Sequence, residues 1–94
     1  MLSKKGFLAA LTLLSAGCGA ASFPAALSAA ETRLEEARAM GAETAAPFEY
    51  YTAAEALRRA RIEAAGERFG AAARTAETAE IYAQRAVSAS LASR

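Results

Sequence analysis

The 94-residue chain contains no histidine, no tryptophan and no aspartate. Without histidine it lacks the side chain used most often for proton transfer near neutral pH and for holding transition metals. Its single cysteine, Cys18, excludes an intramolecular disulfide. Lysine occurs only at Lys4 and Lys5, so every other cation is an arginine. Proline is limited to Pro24 and Pro47. The longest apolar run, Gly6 to about Ala16, is about 11 residues, whereas a membrane-spanning helix needs roughly 20. No segment alternates apolar and polar residues between turn signals, which argues against strands.

What is present is sharply partitioned. Lys4 and Lys5 precede the apolar run, and the small residues Ser15, Ala16 and Gly17 precede Cys18. A positive segment, a short apolar segment and a small-residue cleavage site make the layout of an export signal. The lysines stay on the cytoplasmic side, as the positive-inside bias requires. Three other arrangements use the same residues. Cys18 could be a buried small hydrophobe, the signal could be cut after Ala20 or Ala21 to release the domain, or residues 1–17 could be the first helix of a cytosolic bundle.

Ser15-Ala-Gly-Cys18 resembles the lipobox of bacterial lipoproteins, with serine where leucine is commoner and Leu14 one position earlier. The resemblance implies cleavage between Gly17 and Cys18, a diacylglyceryl thioether on Cys18 and acylation of the new amino terminus. Gly19, rather than aspartate, follows the cysteine, which under the same resemblance favours the outer membrane, facing the periplasm. The expected organisation is a signal peptide over 1–17, a lipidated tether over 18–23 and an alanine-rich helical domain over 24–94.

Beyond Gly17 lie 77 residues with nine arginines and ten glutamates, a formal side-chain charge of −1. That balance offers no basic field for nucleic acid and no polybasic patch for anionic lipid, so membrane attachment would rest on the acyl chains. One chain binds marginally, whereas two or more hold stably. Alanine, glutamate, arginine and leucine are strong helix formers. The composition predicts an all-α fold, either an antiparallel helical hairpin or a three-helix arrangement.

Pro24 suits a first helical turn. Helix one is expected to run to about Met40, with an inward stripe of Leu27, Ala30, Leu34, Ala37 and Gly41, and Gly41 as its cap. After a connection at 42–46, Pro47 starts helix two, whose stripe is Tyr50, Ala53, Leu57, Ala60 and Ala64. Glu55, Arg59 and Glu63 are spaced for an ion-pair ladder. Gly66 should break the helix near Ala65. A turn over 66–70 leads into helix three, running to about Ala92 on Phe69, Ala72, Ala76, Ala79, Ala83, Ala86 and Ser90, with Ile81, Tyr82, Val87 and Leu91 flanking. Short links predict antiparallel neighbours.

Leu34-Glu-Glu-Ala-Arg-Ala-Met-Gly-Ala42, Ala46-Pro-Phe-Glu-Tyr-Tyr-Thr-Ala-Ala-Glu-Ala-Leu57 and Ala65-Gly-Glu-Arg-Phe-Gly-Ala-Ala-Ala-Arg74 resemble a family of small bacterial envelope lipoproteins built on an alanine- and glutamate-rich helical hairpin. Domains of that family also occur ahead of peptidoglycan-binding domains. The chain departs from the pattern by the longer spacing from Gly66 to Phe69 and by lacking an aromatic just before Pro47. The resemblance implies a periplasm-facing helical domain with no known catalytic residue. The Gly66-to-Phe69 turn is also similar to that of tetratricopeptide repeats, but one helix pair falls short of the roughly three repeats a solenoid needs.

Catalysis finds little support. Every glutamate falls in a helix-surface pattern beside arginines, and neither Gly17-Cys-Gly19 nor the 66–70 segment has the setting of a phosphate loop. The expectation is a non-enzyme with no cofactor beyond the lipid on Cys18, no metal, no nucleic acid and no small-molecule substrate. Phe48, Tyr50 and Tyr51 are the one aromatic cluster. Phe48 and Tyr50 lie about 200° apart on a helix, so all three cannot share a seam. They pack on the 41–47 connection or anchor a partner, for tyrosine is enriched at binding hot spots. With few large apolar side chains, the core should be thin enough to gain from association with itself or another protein.

The expected function is therefore a membrane-anchored structural or adaptor module with a protein partner or as a homo-oligomer. A secreted or periplasmic accessory subunit, associating non-covalently with peptidoglycan, is the alternative. Covalent wall attachment through a C-terminal lysine is disfavoured, because the segment beyond Gly17 has no lysine and ends in Arg94. A membrane-active peptide would want a cationic amphipathic face.

Overall fold

A computed structural model describes residues 22–94. The expected signal peptide, its expected cleavage point at Gly17 and Cys18, and most of the expected tether lie outside them. All regular structure among the described residues is helical: α1 (Ser22–Ala39), α2 (Ala42–Ala45), α3 (Pro47–Ala65) and α4 (Phe69–Ala92). The chain is all-α, and of the two architectures the sequence allows, the three-helix arrangement forms. Helix α1 begins at Ser22, so the last two residues expected in the tether are helical.

Local chemistry sets the boundaries. Gly41 adopts φ 80°, the left-handed conformation that costs glycine least. Its N–H donates to the Arg38 carbonyl at 3.0 Å and closes α1. The 42–46 connection coils into the single turn of α2, and Pro47 then occupies the first turn of α3. Gly66 is the last half-helical residue of α3. The left-handed residue comes one position later, at Glu67, with φ 63°. The N–H of Glu67 donates to the Ala64 carbonyl and that of Arg68 to the Glu63 carbonyl, both at 2.9 Å, the paired bonds of a Schellman motif.

Helix α4 lies between the others. Helices α1 and α3 both pack along it and touch each other little. Three layers fix the directions. Ala26, Ala60 and Ala76 meet at one end. Ala30, Leu57 and Ala79 meet in the middle, and Ala37, Tyr50, Ala86 and Val87 meet at the other end with Ala42 and Ala46 of the α2 segment. Thus α1 and α4 run parallel, and α3 runs antiparallel to both, as the short links require. Arg61 of α3 also reaches Glu31 of α1 at 2.6 Å.

The seam is mostly alanine, and the expected stripes shift where bulk intervenes. On α3, Tyr50, Ala53, Leu57 and Ala60 are buried as expected, while Ala64 is only half-buried. On α4, every stripe position from Ala72 to Ser90 is buried, but Phe69 is 53% exposed. It stacks at the rim on Phe23, with ring centroids 6.0 Å apart. On α1, Ala26 joins Ala30 and Ala37 at the seam; Leu27 and Leu34 are half-buried, and Gly41 is exposed. Ile81 and Leu91 point outward, whereas Val87 is buried.

Candidate functional site: an aromatic groove between α3 and α4

The three aromatics of the 48–51 cluster separate. Tyr50 is only 8% exposed and fills the layer formed by Ala42, Ala46, Ala86 and Val87, which is the expected packing on the connection. Burial pushes its hydroxyl above the ordinary tyrosine range, and the nearby Glu43 carboxylate pushes the same way. Phe48 and Tyr51 turn outward and are 68% and 56% exposed. They therefore remain as surface aromatics, whereas Tyr50 belongs to the core.

Phe48 lies edge-on to Tyr82 of α4, with centroids 6.3 Å apart. The Arg85 guanidinium sits 5.0 Å over the Tyr82 ring, within the reach of cation–π attraction. Tyr51 stands edge-on to Tyr50 at 5.1 Å, so the core ring supports the surface ring.

Below this aromatic end an open groove of about 540 Å3 runs between α3 and α4. Phe48 and Tyr51 form its upper wall. Thr52, Glu55, Thr75 and Thr78 line its sides, and Arg59 of α3 and Arg74 of α4 belong to its lower lining. Thr78 is partly engaged, because its hydroxyl donates to the Arg74 carbonyl at 3.2 Å. Arg59 and Arg74 enter no ion pair among the described residues. Sequence reasoning found the aromatics but missed these arginines, because convergence of α3 and α4 at this level depends on the register across the 66–68 turn.

The Glu55–Arg59–Glu63 ladder does not form. Glu55 instead accepts from Arg58, one turn further on, at 3.1 Å from Nε and 2.5 Å from Nη2. The hydrogen bonds from Arg58 hold its carboxyl below the usual range. Glu35 is held down in the same way by its hydrogen bonds from Arg38. Glu63 is half-buried, and one of its carboxylate oxygens has no hydrogen-bond partner. Three of the four ion pairs among the described residues are thus i,i+3 contacts within one helix, which contribute little individually.

Among the described residues no cluster of three acidic, histidine or cysteine ligands could hold a metal. No described helix is long and apolar enough to cross a membrane. No protein-family model matches the chain, and no curated protein or solved structure matches it.

Proposed function

We propose that the chain is an exported lipoprotein, anchored through Cys18 to the outer membrane, whose helical module acts as a non-catalytic adaptor for a protein partner in the periplasm. The observation that carries this reading is the sequence order Lys4-Lys5, apolar run, Ser15-Ala-Gly-Cys18. An 11-residue apolar run suits a signal and is too short for a permanent span. Two or more acyl chains at Cys18 would supply the attachment that the near-neutral module lacks. The adaptor role is supported by large apolar side chains left on the surface, Phe48 and Tyr51 foremost. A surface aromatic backed by a core ring is a rigid anchor with little side-chain entropy to lose on binding.

The test is the intact mass of the protein from the membrane fraction, beside a Cys18→Ala variant. The expected result is loss of residues 1–17 and a gain of acyl mass, with no such gain in the variant. An unmodified Cys18 refutes the anchor. In that case, a cut chain in the soluble fraction identifies a secreted subunit, and retention of Met1 identifies a cytosolic bundle.

A further inference from the structure

The outer stripe of α3 is complementary to itself. Phe48, Tyr51, Glu55, Arg59 and Ile62 recur at steps of three and four, which places them on one helix face. All five are exposed, on the side away from the alanine seam of Ala53, Leu57 and Ala60. The ends of the stripe are apolar: Phe48 and Tyr51 at one end, and Ile62, 51% exposed, at the other. Between them stand one anion, Glu55, which already accepts from Arg58 of its own helix and would share its carboxylate with a second cation, and one cation, Arg59. Arg59 has no ion-pair partner among the described residues. A twofold axis crossing α3 at the level of Leu57 sets Ile62 opposite Thr52, beside Tyr51, because Glu55 and Arg59 lie two residues to either side of it.

We propose that this face binds a second copy of the same chain, with the two α3 helices antiparallel across that axis. Glu55 of each copy meets Arg59 of the other, and both charge pairs form at once. Ile62 of each copy packs beside Tyr51 and Thr52 of the other and covers the upper wall of the groove. An isologous contact of this kind closes on itself and stops at two chains. The charge pattern selects the antiparallel orientation, since a parallel pairing in register would set Glu55 against Glu55 and Arg59 against Arg59. The proposal uses residues 48–62 only, is independent of lipidation at Cys18, and makes a second copy the protein partner of the surface aromatics in the adaptor reading.

Sedimentation equilibrium of the full chain with Cys18→Ser, in a mild detergent, tests it through charge reversal. Glu55→Arg gives one copy two cations at the centre of the face, and Arg59→Glu gives the other two anions. Each variant alone should dissociate on the order of 100-fold more readily than the parent chain, because like charges then face each other. An equimolar mixture of the two should regain the two-chain mass, since both pairs can form between unlike copies. No effect within a single helix can produce that recovery. Circular dichroism of each variant checks that helicity is kept, and a single chain carrying both reversals should also regain the dimer if either variant alone folds poorly. The proposal is overturned by a parent chain with single-chain mass up to about 1 mM, by either single variant remaining dimeric alone, or by a mixture that remains monomeric.

Discussion

Ser90 shows what a polar atom costs at an alanine seam. It is 1% exposed, and its hydroxyl oxygen has no hydrogen-bond partner. Its carbonyl still accepts from the Ser93 hydroxyl at 2.9 Å, so the backbone role at this position does not depend on the Ser90 side chain. Removing a buried unsatisfied hydroxyl and restoring alanine's helix propensity act in the same direction. Ser90→Ala should therefore stabilise the fold by about 1 kcal/mol, seen as a higher urea midpoint at unchanged slope; a lower midpoint would show that the hydroxyl is satisfied in solution. Tyr50 gives a second prediction, from burial. Its folded-state pKa is raised above the ordinary 10.0, first by desolvation and then by Glu43. The neutral phenol is thus favoured in the fold, and its stabilising effect is fully present below pH 10.0 and lost as pH rises through the higher folded value. Alkaline titration followed by tyrosinate absorbance should show a late phase that tracks loss of helicity. Tyr50→Phe should abolish that late phase, and its absence from the parent chain would contradict the burial.

At the level of the element, the two helix ends at Gly41 and Glu67 make opposite predictions from the same geometry. Gly41 sits at φ 80° with open space around the position of a Cβ, so an added methyl meets no atom and suffers only the left-handed backbone. Gly41→Ala should cost about 1 kcal/mol. Glu67 already bears that strain at φ 63°, and Glu67→Gly should recover somewhat less, about 0.5 kcal/mol, because glycine also loosens the unfolded chain. Thermal melts of the two variants should shift in opposite directions, and a shared sign would contradict the left-handed assignment at one of the ends. These ends also show what could be inferred before the fold was known. Pro47 and Gly41 punctuate the chain, and the boundaries they mark form as expected. Gly66 marks the end of α3 correctly, yet the residue that needs glycine's freedom is its neighbour, because the Schellman bonds run from Glu67 and Arg68. Seam positions were legible at most places where alanine recurred at steps of three and four. They failed at Phe69, Gly41 and Ala64, where a stripe extrapolated along a helix runs past the point at which a neighbour still covers it, and at Leu27 and Leu34, which flank the middle layer half-buried. Of the groove, the aromatic wall was legible as a cluster. Its arginines were not, since Arg59 and Arg74 are 15 positions apart and are joined only by the antiparallel register of α3 and α4.

For the whole molecule, the question is whether an alanine seam holds three helices together alone. Of the sixteen buried hydrophobic residues among those described, thirteen are alanine, leaving Tyr50, Leu57 and Val87 as the large ones. Alanine lets backbones approach closely, but a methyl group removes little apolar surface from water at about 25 cal/mol per Å2. Meanwhile Phe48, Tyr51, Ile62, Ile81 and Leu91 all remain more than half exposed, so much of the chain's capacity for apolar burial is unused in the single copy. Neither a disulfide nor a metal cluster among the described residues compensates, and domains of this size usually draw on some such staple or on association. Three of these, Phe48, Tyr51 and Ile62, share the outer face of α3. A partner that binds only the folded chain raises its stability in proportion to the logarithm of concentration. Urea unfolding of the protein at two concentrations about 100-fold apart should accordingly give a higher midpoint at the higher concentration, and a Tyr51→Ala/Ile62→Ala double variant should lose that dependence. A midpoint above about 4 M that does not move with concentration would mean that the alanine seam is sufficient by itself, and that close backbone packing contributes more here than buried area implies.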